Sequence, residues 1–460
     1  MQRVKNVHML GIGGCGMSGI AQILHDMGFA VSGTDVREGA NTLRLKDLGV
    51  KIYIGHDPAN IRGADLVVFS SAVSEDNVEL KEAIAQKIPA IKRAEMVSWI
   101  LNQSPNRIAV AGTHGKTTTT AMLAKVLDHA RLSPTYLIGC DMDYAEGNAR
   151  LGSGKFAVTE ADESDSSFLF LSPTVSVITN IEEDHMENFG NLETLLSTFE
   201  QFARKTAPDG FLVVDASNPN NRDLMQKVNA RFITYSLNGE SEYSAQNLAY
   251  KDFSSSYTLL RAGKKVGEVK LSVPGWQNIL NSLAVFAIGF ELGIEFNQIA
   301  NALLSFIGAR RRFQKVGEFR DILIVDDYAH HPTEIRATLA AARSGWPGRR
   351  ILCIFQPHRY SRTMLLRDQF ATAFGDADRV IISDIYPASE KPIPGISGKT
   401  IADAIQLDGK HPCVLYIARK EMIPEQLKDE IQEGDLILTM GAGDIYTVGK
   451  EILSRLKMKS

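Results

Sequence analysis

From residue 7 the chain reads VHMLGIGGCGMSGIAQILHDMGFAVSGTDV: an apolar run, a glycine turn, a helical period and a second β-rich run. Met17, Ile20, Ala21, Leu24 and Met27 recur at three- and four-residue spacing, which predicts an amphipathic helix with Gly28 as its stop. LVVFSSAV (66–73) is a continuous apolar run of the kind buried on both faces of a parallel sheet. The polar stretch Asn102-Gln103-Ser104-Pro105-Asn106 interrupts the pattern and predicts a linker.

A second segment opens with a strand at 107–111, a loop, and a helix beginning near Thr117. FAVTE (156–160) and VSVITNI (175–181) predict further strands. FLVVD, FITYS, YTLL and EVKLSV predict strands paired around turns such as Arg261-Ala262-Gly263-Lys264, hence a mixed sheet. GWQNILNSLAVFAIGFELGI returns to helical period, with Gly293 near its end. From about 314, the runs ILIVDDY, ILCIFQP, RVIISDIY, CVLYIA and DLILTMGAG alternate with amphipathic stretches such as TEIRATLAAARSG. That alternation predicts a doubly wound, largely parallel sheet. The reading is therefore an α/β chain of three domains, 1–104, 105–312 and 313–460: Rossmann-like, P-loop ATPase-type with a mixed sheet, and doubly wound α/β. A length of 460 residues agrees with about three domains.

Composition removes several function classes. Apolar content of 44% and charged content of 23% are ordinary for a globular protein. A net charge of −4 gives no overall basic field, so nucleic acid is not an expected partner. No apolar run approaches the ~18 residues of a membrane span, so no membrane insertion is expected. The N-terminus lacks a signal peptide's layout. Cys15, Cys140, Cys353 and Cys413 sit apart in apolar or glycine-rich settings. They predict reduced, mostly buried thiols in a cytoplasmic protein.

Two loops carry phosphate chemistry. Gly11-Ile12-Gly13-Gly14-Cys15-Gly16 matches G-x-G-x-x-G between a strand and a helix, where backbone can approach a pyrophosphate. Asp35 ends the next strand, the place for an acid that reaches a ribose hydroxyl. The second loop, Gly112-Thr113-His114-Gly115-Lys116-Thr117-Thr118, departs from G-x-x-x-x-G-K-[ST] in its first glycine. Its working parts remain: Gly115 for close approach, Lys116 for β/γ-phosphates and the Thr117 hydroxyl for Mg²⁺. One nucleotide then serves as a handle on the substrate, and the other is ATP that drives a reaction.

TEADESDSSF (159–168) crowds Glu160, Asp162, Glu163 and Asp165 after a strand, and such mutual repulsion asks for a cation. Beside a triphosphate, Mg²⁺ is the natural one. ITNIEEDHMENFG places Asp184 and His185 after another strand, as candidate ligand or acid–base groups. In the third segment, VDDYAHHPTE (325–334) and FQPHRYSRT (355–363) fall at strand C-termini, where open α/β sheets bind ligands. Arg359 and Arg362 suit a carboxylate or phosphate, and the Arg310-Arg311-Arg312 run suits the ATP phosphates, with Arg310 better suited to a solvated hinge. Ser389-Glu390-Lys391-Pro392 and Gly441-Ala442-Gly443-Asp444 are further strand-end loops.

The ordered set GIGGCGMSGIA, SSAV, AGTHGKTTTTAM, EADESDSSFL, TNIEEDHM, RRRF, DDYAHHPTE, FQPHRYSRT and GAGDI resembles the Mur ligases of bacterial peptidoglycan synthesis over essentially the whole length. It is most similar to their alanine-adding type. The resemblance implies an ATP-dependent ligase that joins L-alanine to the lactyl carboxylate of UDP-N-acetylmuramate through an acyl phosphate. The three domains would take the UDP-sugar, ATP and the amino acid in turn. Gly13, Gly14, Gly16, Met17 and Ser18 would hold the UDP-sugar diphosphate, with Asp35 and Ser71 toward its uridine. Residues Gly112 to Thr118, Asn278, Arg312 and Asp327 would bind ATP, with Lys116 also catalytic. Thr117, Glu160 and His185 would ligate two Mg²⁺ ions. His330, Arg359 and Arg362 would face the reacting carboxylate and amino acid. Gln277 stands before Asn278 where relatives usually have His, and Ala329 where many have Gly. Monomer and homodimer both remain open. The competing readings are the ligase that recycles a whole tripeptide onto the same UDP-sugar and, from another class, a non-catalytic nucleotide-sensing regulator.

Overall fold

In the computed structural model the residues described are 3–70, 72–142, 147–388, 390–409 and 413–458. Ser71 and Ser389, both singled out above, lie outside them. Two compact units divide the chain: Met1–Gln246 with Leu259–Gly267 and Leu280–Leu303, and Asn247–Thr258 with Glu268–Ile279 and Leu304–Ser460.

The first unit begins with β1 (Asn6–Leu10), α1 (Cys15–Asp26), β2 (Ala30–Asp35), α2 (Ala40–Asp47), β3 (Lys51–Ile54), β4 (Leu66–Phe69), α3 (Val78–Ala85), β5 (Ala90–Lys92) and α4 (Arg93–Leu101). The strands form a parallel sheet in the order β3-β2-β1-β4-β5, the nucleotide-binding half of a doubly wound fold. Met17, Ile20, Ala21 and Leu24 are buried, as their spacing requires, and join the core under the sheet. β4 stops at Phe69, short of the predicted 66–73 run, because the chain turns where the apolar run meets Ser70.

One buried carboxylate ties this sheet to its neighbours. Glu79, on α3, is fully buried. Its oxygens accept hydrogen bonds from the Thr34 hydroxyl (2.7 Å), the Asn60 amide (2.7 Å) and the Asp57 backbone N–H (3.3 Å), and pair with His56 Nδ1 (2.9 Å). His8 Nε2 lies 3.9 Å away. Burial alone would push Glu79 up, but these partners outweigh it and hold the carboxyl down at about 2.

The chain continues through β6 (Asn106–Ala111), α5 (Lys116–His129), β7 (Thr135–Met142), β8 (Gly147–Arg150), β9 (Phe156–Glu160), β10 (Val175–Ile178), α6 (Met186–Phe189), α7 (Leu192–Ala203), β11 (Phe211–Asp215), α8 (Pro219–Lys227) and β12 (Phe232–Ser236). β13 (Tyr243–Lys251), β14 (Ser254–Arg261), β15 (Lys264–Leu271), α9 (Trp276–Glu291) and α10 (Phe296–Leu304) follow. The ten strands run β15-β14-β13-β12-β11-β10-β6-β9-β7-β8, parallel through the middle and antiparallel where β7 meets β8, so the sheet is mixed as predicted. The 102–105 connection is short and held, with Arg107 donating to the carbonyls of Ser104 (3.2 Å) and Ser172 (2.7 Å).

The second unit contains β16 (Gln314–Phe319), β17 (Ile322–Asp327), α11 (Pro332–Gly345), β18 (Ile351–Phe355), α12 (Tyr360–Leu365), α13 (Arg367–Ala371), β19 (Arg379–Ile382), α14 (Gly398–Asp408), β20 (Val414–Tyr416), α15 (Ile423–Gln426), β21 (Leu436–Met440) and α16 (Tyr446–Met458). Its sheet runs β16-β17-β21-β18-β19-β20, parallel except for β16 on β17. Continuous burial of β17, β18 and β21 explains why their sequences read as unbroken apolar runs.

The cysteine expectation holds for Cys353 but not for Cys413, which is exposed, and Cys15 is half-buried. Cys413 precedes an edge strand whose residues are only partly buried, so its apolar neighbours did not imply a core. The side chain of Cys140 lies outside the described residues. Among them, no helix is long and apolar enough to cross a membrane.

Candidate active site

In the first unit, the phosphate loop is built on β6 and capped by α5, which begins at Lys116, one residue before Thr117. Gly115 is the helix N-cap at φ 85°. Gly112 sits at φ 127°, and a Cβ there would fall 2.0 Å from Thr179 Oγ1, so only glycine fits. The loop is braced by the end of β10. His114 N–H donates to Asn180 Oδ1 (2.9 Å), Thr179 Oγ1 donates to the His114 carbonyl (2.6 Å), and Thr113 N–H donates to the Asn180 carbonyl (2.9 Å). Thr179 and Asn180 lay inside a quoted stretch without being singled out, because a brace on a neighbouring strand leaves no spacing signal.

Lys116 turns back over this loop. Its Nζ donates to the carbonyls of Gly112 (2.6 Å) and Thr113 (3.1 Å) and to Glu163 Oε1 (2.8 Å). Burial opposes its charge, but the Glu163 and Asp162 carboxylates more than offset it and raise the Lys116 ammonium above its ordinary value. Glu163 is buried too. Burial pushes its carboxyl up, Lys116 pulls against this, and Asp162 adds to the rise. Its second oxygen, Oε2, is buried without a hydrogen bond. Thr117 Oγ1 donates to Glu160 Oε2 (3.0 Å), and the other Glu160 oxygen accepts the Gly139 backbone N–H. The structure therefore joins Lys116, Thr117, Glu160 and Glu163 in one place. Sequence reasoning counted Glu163 among the acids without giving it the lysine.

This donor set fits Mg²⁺: Thr117, Glu160 and the unsatisfied Glu163 Oε2 are all hard oxygens beside a phosphate loop. His185 takes a left-handed backbone at the start of α6, with its ring between Asp184 (3.7 Å) and Glu187 (3.6 Å).

The glycine loop of the N-terminal sheet reaches this group within the same unit. Gly13 N–H donates to Asp35 Oδ2 (2.9 Å), and Asn41 Nδ2 donates to the Gly13 carbonyl (2.9 Å). Met17 and Ser18 are buried beneath, with the Ser18 hydroxyl on the Cys15 carbonyl (2.9 Å). Cys15 Sγ donates to the carbonyl of Gly139 (3.0 Å), whose N–H is on Glu160. Asn148 Nδ2 adds a bond to the Cys15 carbonyl (2.8 Å). Gly14 is the N-cap of α1, and its first turn carries no acid.

In the second unit, the candidates gather at the C-terminal ends of β17, β18 and β19. Asp327 is buried, and its carboxylate accepts the N–H groups of Phe313 and Ala329, both at 2.7 Å. Burial pushes it up to about 6 against Arg312 and those amides. Arg312 lies over the Tyr328 ring and 3.6 Å from Glu334. Arg311 instead is a staple, bonded to Asp326 (3.0 Å) and to the carbonyls of Gly441 (2.7 Å) and Gly443 (3.0 Å). His330 Nδ1 pairs with the Tyr328 carbonyl (3.0 Å), and its backbone N–H donates to Glu334 (3.0 Å). His330 also packs on His358, which stacks on Tyr386 and lies 3.3 Å from Arg362. Arg362 is buried, and Arg359 holds a positive φ of 70°. His358, Tyr386 and Glu334 complete the cluster and were missed. FQPHRYSRT already carried His358, but only the fold adds Tyr386. Asn278 donates to the Pro274 carbonyl (2.7 Å) at the start of α9.

Known proteins share this architecture. Models of the Mur ligase family, catalytic domain, the Mur ligase middle domain and the Mur ligase, glutamate ligase domain match residues 6–105, 110–289 and 311–443. The chain belongs to the Mur ligase family. It is 45% identical over 454 residues to a UDP-N-acetylmuramate–L-alanine ligase of Trichlorobacter lovleyi, covering 98% of this chain and 99% of that one. The crystal structure of a UDP-N-acetylmuramate-alanine ligase from Thermotoga maritima is similar with a TM-score of 0.84 at 33% identity, over 99% of this chain and 100% of that one. A murein peptide ligase from Psychrobacter arcticus is similar at TM-score 0.72 and 25% identity, over 98% of each chain.

Proposed function

We propose that this protein is an ATP-dependent carboxylate–amine ligase that joins L-alanine to the lactyl carboxylate of UDP-N-acetylmuramate, in peptidoglycan precursor synthesis. The observation that carries the reading is a likeness to alanine-adding ligases over 98% of the chain, around a phosphate loop whose lysine is held by two backbone carbonyls and the Glu163 carboxylate. The weaker likeness to a murein peptide ligase makes tripeptide recycling the second choice. A nucleotide sensor has no use for the His330–His358–Arg362 cluster in addition to the loop.

In this reading residues 1–104 bind the UDP-sugar, 105–312 bind ATP, and 313–460 bind the amino acid. Gly13, Gly14, Gly16, Met17 and Ser18 line the diphosphate, Asp35 the ribose, and Ser71, outside the described residues, the uridine end. The carboxylate attacks the γ-phosphorus of ATP, ADP leaves, and an acyl phosphate forms. Lys116 leaves Glu163 and neutralises the transferring phosphoryl group, while Gly112 to Thr118 present backbone N–H groups to the β- and γ-phosphates. Thr117, Glu160 and His185 would hold two Mg²⁺ ions, which supply charge neutralisation at the phosphates. Asn278 reads the adenine, and Arg312 and Asp327 lie along ATP. Arg359 and Arg362 hold carboxylate groups through their planar forks. His330, whose ring pairs with the Tyr328 carbonyl and whose backbone N–H donates to Glu334, is in this reading the group that takes the proton alanine's ammonium must lose before the amine attacks the acyl carbon. Phosphate then leaves and the amide remains.

Phosphate release from ATP tests this reading. It should require UDP-N-acetylmuramate and L-alanine together, with tripeptide a poor substitute. Equal release with tripeptide would move the protein to the recycling class, and no release with either would remove the ligase reading.

A further inference from the structure

Arg93 stands between the two nucleotide loops, and the mechanism above does not use it. It is the first residue of α4. Its guanidinium lies against the first turn of α1: a Cβ built on Gly16 would meet Arg93 Nη1 at 2.9 Å. From there Nη2 faces Asp162 Oδ2 at 3.6 Å. Asp162 is the neighbour of Glu163, which holds Lys116. Burial pushes the Asp162 carboxyl up, but Lys116, Ser164 and Arg93 outweigh this and keep it below its ordinary value. One cation at the start of α4 thus lies against the first turn of α1, at the end of the glycine loop, and faces the acidic loop at its other side.

We propose that Arg93 binds the diphosphate of the sugar nucleotide and couples that event to Mg·ATP binding. This rests on the substrate reading above and names a binding residue that reading lacks. A diphosphate at Gly13 to Gly16 arrives beside the guanidinium, whose planar fork suits two phosphate oxygens better than a single carboxylate 3.6 Å away. Arg93 then turns from Asp162 to the diphosphate. The acidic loop loses a positive neighbour and gains affinity for Mg·ATP. Linkage makes the effect reciprocal, so Mg·ATP tightens the sugar nucleotide by the same factor.

The test is calorimetric binding of UDP-N-acetylmuramate to the full chain, with and without Mg²⁺ and a non-hydrolysable ATP analogue. Wild type should bind more tightly with the analogue present, by a factor of roughly 5 or more. Arg93→Met should lose about tenfold in affinity without the analogue, and the coupling factor should fall toward unity. Asp162→Asn should act in the opposite direction on the first quantity. It frees Arg93, so the sugar nucleotide binds more tightly in the absence of the analogue, a gain that a purely structural role for the pair would not produce. Arg93→Lys keeps a charge without the fork and should recover part of the affinity. Unchanged affinity in Arg93→Met, a coupling factor that survives it, or weaker binding in Asp162→Asn would overturn the proposal. A wild-type chain that ignores UDP-N-acetylmuramate would overturn the substrate reading first, and this one with it.

Discussion

Replacing Lys116 with Met is expected to reduce ATP-dependent turnover by a factor on the order of 10³ or more, the scale on which a preorganised charge at a developing anion acts. The side chain is held over the loop by the Gly112 and Thr113 carbonyls and by Glu163, so its charge is positioned before any phosphate arrives. The same variant should also lose stability. Removing one partner leaves the buried Glu163 carboxyl without its cation, a change that costs about 3–5 kcal/mol when a buried pair is broken. Lys116→Met combined with Glu163→Gln separates the two effects. The double variant should regain most of the melting temperature and none of the turnover. If turnover returned with stability, the lysine would be structural and the mechanism would lose its electrostatic centre.

Glu79→Gln should destabilise the N-terminal sheet by roughly 3 kcal/mol at pH 7, the value of a carboxyl lowered from 4.5 to about 2. The sign follows from the direction of the shift. The folded chain holds the proton less tightly than the unfolded one, so the contribution is fully present above pH 4.5 and is lost as pH falls toward 2. Amide-exchange protection of residues 6–10 and 30–35 reads it locally. The difference between wild type and variant should shrink as pH is lowered through that window. A difference independent of pH would mean that packing of the Gln, not loss of the charge, causes it.

Glu79 also shows where the sequence falls silent. The acid comes from α3, and its partners from β1, β2 and the turn after β3, so nothing in spacing announces the network. The opposite holds for the sheets. Continuous apolar runs, the helical period of α1 and the glycine loops are local patterns, and they predicted three α/β sheets and the mixed character of the central one. The site falls between these cases. The elements that carry loop residues 112–117 were legible because a strand, a turn and a helix present them in order, whereas Glu160 was one of four crowded acids after a strand and only the family resemblance set it apart. The partnership of Lys116 with Glu163, the brace from Thr179 and Asn180, and the His358–Tyr386 stack join residues far apart in the chain. Arg93 was overlooked because its meaning lies in two distant neighbours, Gly16 and Asp162.

The account turns on an acyl phosphate made from the substrate carboxylate, and oxygen tracing tests it most directly. UDP-N-acetylmuramate labelled with ¹⁸O in both lactyl carboxylate oxygens is turned over with ATP and L-alanine, and the released phosphate is analysed by mass. The carboxylate oxygen that attacks phosphorus leaves with the phosphate, so each turnover should place one ¹⁸O in the phosphate and retain one in the amide carbonyl. Unlabelled phosphate alongside amide product would contradict the account, because the γ-phosphoryl group would then never have been joined to the carboxylate.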